Sequence, residues 1–206
     1  MNQSSLPYAG PPIDDEGILE VLPESLVALV REVNGFIKYE GGLHVRGASL
    51  EPNWHSLREA WIGDLSFQRL YPRVINSEDL PFAEDCFGDQ FFLRHEIVWR
   101  LAAETGDVEP LELSVAEFLQ AAEADPVEFL SLQPLIRFQN EVGQLAPGML
   151  LSAFPPYCIK TTGKAVDLRA IASLERRKFL ADFAAQIADL PDGASVRFDI
   201  TDGQHS

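Results

Sequence analysis

Four short apolar segments follow one another with almost nothing between them: Leu80 to Ala83, Phe87 to Leu93, Ile97 to Ala102 and Val108 to Leu113. Gly88, Arg94-His95 and Thr105-Gly106-Asp107 punctuate them. Parallel pairing needs a crossover of roughly a dozen residues or more, and none of these gaps holds one. The segments therefore predict an antiparallel meander. In the third, Ile97, Trp99 and Leu101 share one face, and Val98 and Arg100 the other.

Helical patterns surround this block. Leu22, Leu26, Leu29, Val30 and Val33 line one helical face, with Pro23 suited to the first position and Asn34-Gly35 as the stop. Asn53 to Ile62 reads as a second helix, carrying Trp54, Leu57 and Trp61 and closed by Gly63. Ser114-Val115-Ala116-Glu117 spells a capping box ahead of Phe118, Leu119 and Ala122. Asp125-Pro126 opens a short helix over Val127 to Leu132. Leu174 to Leu190 is the strongest helix, with Phe179, Leu180, Phe183, Ile187 and Leu190 as its expected buried stripe. Phe36 to Tyr39 and Leu43 to Val45 flank Gly41-Gly42 as a hairpin. Strands are also expected at 145–151, Val166 to Ile171 and Ser195 to Ile200. The fold class that follows is α+β, with a central, mostly antiparallel sheet and helices packed against it. Residues 1–19 form a Pro/Gly/Ser-rich arm. Residues 20–201 form one domain, with a core at 20–123 and an extension at 124–201.

Charge is distributed unevenly. The chain carries a formal net charge of −16. Residues 75–125 hold thirteen acidic side chains against two basic ones, Arg94 and Arg100. Phosphate binding needs clustered Lys and Arg, so a nucleic-acid partner is not expected, nor is adsorption to an anionic membrane. There is no secretory signal and no apolar run of membrane-spanning length, which leads to a cytoplasmic expectation. Cys86 and Cys158 make no disulfide framework.

Catalytic groupings are scarce. There is no glycine-rich phosphate loop and no nucleophile elbow. His44, His55, His95 and His205 show no metal-ligand spacing, so neither metal nor cofactor is expected. Glu84 to Asp89 fails as a calcium loop, because Phe87 falls where an oxygen donor is required. Glu84, Asp85 and Asp89 could work as acid and base only in a cleft with substrate-holding groups. Cys86 reads as a buried structural thiol. The three tryptophans can be core residues or interface anchors.

The run Leu80-Pro81-Phe82-Ala83-Glu84-Asp85-Cys86-Phe87-Gly88-Asp89-Gln90-Phe91-Phe92 resembles the SUKH superfamily (Smi/Knr-like). Ile97-Val98-Trp99, Glu104-Thr105-Gly106-Asp107, Ser114 to Leu119, Leu22-Pro23-Glu24 and Asn34-Gly35 continue the resemblance over about residues 20–123. Residues 145–200 look like the extension of larger bacterial members. One departure is Cys86-Phe87-Gly88, which stands where an Asp-Gly or Asn-Gly turn is common. The resemblance implies an α+β fold and no catalytic residue set. It also implies the role of an immunity protein that binds and neutralises a cognate toxin, often a basic nuclease. The expected contact is an acidic surface of Glu78, Asp79, Glu84, Asp85 and Asp89. Two alternatives stay open: an adaptor or scaffold in cell-envelope or signalling regulation, and an enzyme assembled from distant residues near Cys86 or Cys158.

Overall fold

Hairpin follows hairpin through the middle of the chain. In the computed structural model, which describes residues 7–160, 166–191 and 193–194, β4 (Leu80–Asp85), β5 (Gln90–Arg94), β6 (Ile97–Ala102) and β7 (Asp107–Leu113) pair in sequence order, all antiparallel. The expected hairpin of β2 (Phe36–Lys38) and β3 (Leu43–Val45) joins them through β4. Part of the N-terminal arm docks as β1 (Tyr8–Ala9) beside β2. The result is a seven-stranded sheet in the order β1 to β7, with β1 and β7 at its edges.

Both faces of the sheet are covered. On one, α2 (Glu24–Glu32), α5 (Val115–Ala124) and α7 (Gln133–Glu141) pack Leu26, Val30, Phe118 and Phe138 with Phe91, Leu93 and Val98. On the other, α4 (Phe67–Leu70) and α8 (Ser173–Ile187) bring Phe67, Leu180 and Ala184 to Phe92 and Leu101. Val98 thus lies on one face, and Trp99 and Leu101 on the other, as the alternation predicts. Two irregularities reset the register. One falls between Pro81 and Ala83. The other lies opposite Val98 and Trp99, where Glu112 takes φ 56°. Beyond the first, Glu84 stands opposite Gln90. Gln90 shares its face with Phe92, so Glu84 is turned toward α8 and its strand neighbour Asp85 toward the opposite side.

Several boundaries differ from expectation. Pro23 caps α2 rather than occupying its first turn. The second helix is only α3 (Leu57–Ile62), because the Ser56 hydroxyl accepts from Glu59 N–H and starts it there. Trp54 is left in the preceding turn. The capping box forms in full, with Glu117 N–H donating to Ser114 Oγ at 3.3 Å and Ser114 N–H to Glu117 Oε2 at 2.9 Å. The short helix α1 (Glu16–Leu19) lies within the arm, and α6 (Pro126–Phe129) precedes α7, which the sequence reading did not assign. The buried side of α8 is rotated from the expected stripe. Phe179 is 48% exposed, while Arg176 and Arg177 are buried, and the helix ends at Ile187, leaving Leu190 beyond it. The strand expected at Ser195 to Ile200 lies outside the described residues.

The later segment joins the sheet directly. Strands β8 (Met149–Phe154) and β9 (Asp167–Ala172) form an antiparallel ribbon. Leu151 N–H donates to Cys86 C=O at 2.7 Å. Leu151, Ala153 and Leu168 belong to the same buried cluster as Phe36 and Phe118.

Candidate functional site: the carboxylates of the β4–β5 turn and their cleft

The structure overturns the expected acidic surface at four of its five positions. Glu78 is exposed, whereas Asp79, Glu84 and Asp85 are buried and Asp89 is half-buried. A charged group enters a protein interior only with partners, and most of these carboxylates have found cations. Asp79 holds Arg94 in a bidentate pair at 2.7 and 2.6 Å. Asp89 Oδ2 accepts from Arg100 at 2.6 and 3.0 Å, and its Oδ1 accepts from Ala103 N–H.

Glu84 is the centre of a fully interior network. Its carboxylate accepts from Arg46 at 3.0 Å, from Arg177 through both Nε and Nη2, and from Gln90 at 3.2 Å. Both guanidinium groups also stack over the Phe67 ring, 5.3 and 5.7 Å from its centroid. Burial raises the Glu84 pKa, but Arg177 and Arg46 outweigh it and hold the carboxyl well below the usual range. Burial lowers Arg46 to about 9, still high enough to keep it charged at neutral pH.

A row of imidazoles continues outward. His44 Nδ1 lies 2.9 Å from Glu84 Oε1, His44 Nε2 lies 2.9 Å from His55 Nδ1, and His55 Nε2 lies 3.0 Å from Asn34 C=O. Two neutral rings can fill two of these three contacts as hydrogen bonds. Filling the third takes one more proton, which burial opposes: it pushes His44 down to about 3 and His55 to about 4. Trp54 packs against both rings and against Tyr8. Sequence reasoning missed Arg46, Arg177, His44 and His55. The available signal was Arg46 following the apolar Leu43-His44-Val45 strand, since a cation there needs a buried counter-charge.

Asp85 has a different fate. Its Oδ1 accepts the N–H groups of Phe87, Gly88 and Asp89 at 2.8, 2.9 and 3.0 Å, which shapes the turn. Gly88 takes φ +97°, and a Cβ there would sit 2.9 Å from Leu180 Cδ1, so the turn needs glycine. Burial, reinforced by Asp89, raises the Asp85 pKa well above the ordinary value. Asp85 also lines an open cleft of about 420 Å³, with Phe87, Asp89, Arg100, Glu104 and Tyr157 among its other walls. The Phe87 and Tyr157 rings meet edge to face, 5.5 Å apart. Burial raises the Glu104 pKa as well. Glu104 Oε1 lies 3.6 Å from Arg176 Nη2, and its Oε2 accepts from Cys158 N–H.

Nothing in this arrangement activates a thiol. Cys86 is buried and Cys158 exposed. Burial and neighbouring carboxylates raise both, Cys158 to about 11, and a thiol kept protonated is a poor nucleophile. Among the described residues, no group of three His, Cys, Asp or Glu side chains could hold a metal ion. No helix among them is long and apolar enough to cross a membrane.

Surface acidity lies further along the chain. Asp107, Glu109 and Glu112 on β7 are exposed, as are Glu117, Glu123 and Asp125 on and after α5. Glu123 pairs with Lys38, while Glu117 and Asp125 cap helices. The β7 carboxylates stand on the edge strand of the sheet formed by the described residues, near the cleft wall formed by Glu104 and Thr105.

No family model matches the chain, and no curated protein matches it. Among solved structures, the chain is similar to the crystal structure of Atu4351 from Agrobacterium tumefaciens. The two share 14% identity over 86% of each chain, with a TM-score of 0.51. At that identity the likeness shows the fold alone.

Proposed function

We propose that this chain is a SUKH-type protein-binding module without catalytic activity, acting in the cytoplasm as an immunity protein that binds and neutralises a basic, nuclease-type toxin. One observation carries the reading. The exposed carboxylates Asp107, Glu109 and Glu112 form an anionic sheet edge beside a cleft walled by aromatic rings. Nuclease domains are basic because they handle phosphates. An anionic edge steers such a partner, raising association rates roughly 10- to 1000-fold at low salt. Pro110 within β7 removes a backbone donor and discourages indiscriminate strand pairing, which leaves charge to select the partner.

The test starts from the neighbouring open reading frames. A basic toxin domain encoded there is expected to associate with this protein at low ionic strength, and co-expression is expected to protect cells. Glu109→Lys combined with Glu112→Lys should slow association about tenfold at low salt, with the difference fading as salt rises. Failure of the purified pair to associate at low ionic strength, together with no protection, would remove this reading.

A further inference from the structure

We propose that the cleft beside the β4–β5 turn receives one cationic side chain, an arginine or lysine, presented by the protein partner. The inference rests on the protein-binding reading above and names the anchor that such binding uses.

One carboxyl in this region lacks a cation among the described residues. Asp79, Glu84, Asp89 and Glu104 each have a guanidinium within 4.0 Å. Asp85 has no cation within that distance among the described residues, although it is only 5% exposed. Its Oδ1 is saturated by three backbone N–H groups, whereas its Oδ2 accepts no hydrogen bond from any described residue. On a side chain otherwise held in the interior, that oxygen stays open to a donor arriving through the cleft it lines.

The surroundings fit a cation at the end of an apolar stem. The cleft is open to solvent and, at about 420 Å³, has room for a guanidinium with its methylenes. Tyr157 is 47% exposed at its rim and presents a ring over which a cation can slide. Of the cations already nearby, Arg100 is bonded by Asp89 and lies 3.8 Å from Glu109, and Arg176 lies 3.6 Å from Glu104. An incoming cation therefore meets Asp85 without displacing an existing pair. It would also favour ionisation of Asp85, so that binding releases a proton and tightens as pH rises.

The test uses the full chain and N-acetyl-L-arginine amide, followed by amide NMR, with N-acetyl-L-citrulline amide as the uncharged counterpart. Saturable shifts at Phe87, Asp89, Thr105 and Tyr157 are expected with the arginine probe and not with citrulline. Tyr157→Ala should weaken the response about fivefold. Asp85→Asn keeps an oxygen for the turn and should weaken it roughly tenfold. Should D85N not fold, the exposed Tyr157→Ala variant and the citrulline control decide the matter. Equal response to citrulline, no saturable shift, or an unaffected response in a folded D85N would overturn the proposal. So would a free diamine that saturates the cleft more tightly than either capped arginine or capped lysine, since that assigns it to a small metabolite. Toxin association that survives while the arginine probe fails would sink the anchor and leave the immunity reading standing; loss of toxin association with the probe still bound would do the reverse.

Discussion

The acidic stretch from residue 75 to 125 divides into two regions of similar composition and opposite fate. Between Asp79 and Asp89 the carboxylates turn inward, and Asp79, Glu84 and Asp89 meet Arg94, Arg46 with Arg177, and Arg100. Between Asp107 and Asp125 they stand in solvent on an edge strand and a surface helix. Local charge density does not tell them apart. A central strand covered on both faces has no solvent side, whereas an edge strand and a helix followed by a cap do. The paired carboxylates of the first region are therefore a question of stability, while recognition falls to the second region and to Asp85, which lines the cleft.

The largest effect expected of that difference is at Glu84. Glu84→Gln leaves Arg46 and Arg177 buried without a counter-charge and should cost about 3–5 kcal/mol in denaturant unfolding. A loss under 1 kcal/mol would mean that the network is not the keystone of the inner region.

Acidification should strike the inner region next. The pKa values of His44 and His55 are lower folded than unfolded, at about 3 and 4 against 6.5. The unfolded chain therefore takes up protons first, and stability falls as pH drops below 6.5. Each ring contributes a loss on the order of 2 kcal/mol by pH 5. Asp85 acts in the opposite sense: its raised pKa gives stability that is present below 3.8 and lost as pH rises through the folded value. Comparing unfolding at pH 7 and pH 5 should therefore show a steeper acid loss in Asp85→Asn than in the parent. Ring signals of His44 and His55 that titrate near 6.5 would contradict this account.

Asp79→Ala should cost about 2 kcal/mol, because it strips a bidentate partner from a partly buried arginine. In the outer region, Ser114→Ala should cost about 1 kcal/mol through loss of the helix cap. Smallest of all, Glu109→Lys with Glu112→Lys should leave unfolding within about 0.5 kcal/mol of the parent while altering toxin association. A large stability change there would erase the division between the two regions.

Much of the architecture can be read from local residues. The meander from Leu80 to Leu113, the Ser114–Glu117 box, the Gly35 stop and the hairpin before Val45 each rest on turn chemistry or periodicity confined to a few neighbours. The candidate site does not. Glu84 meets Arg177 across 93 positions of sequence and His44 across 40. Neither pairing leaves a periodic trace. The same holds for α8, where an apolar count favoured Phe179, yet the helix turned Arg176 and Arg177 inward. An arginine can be buried when a carboxylate is waiting, and hydrophobicity alone cannot register that.

Short-range forces thus decide from the residues themselves which segments become strands and helices and in what order the strands pair. Which carboxylates lie inside, which cations neutralise them and which one lacks a cation were decided only when the chain closed. Strand alternation sets Glu84 and Asp85 on opposite faces, a one-residue irregularity at Phe82 decides which face each takes, and only the packed helices determine what each of them meets.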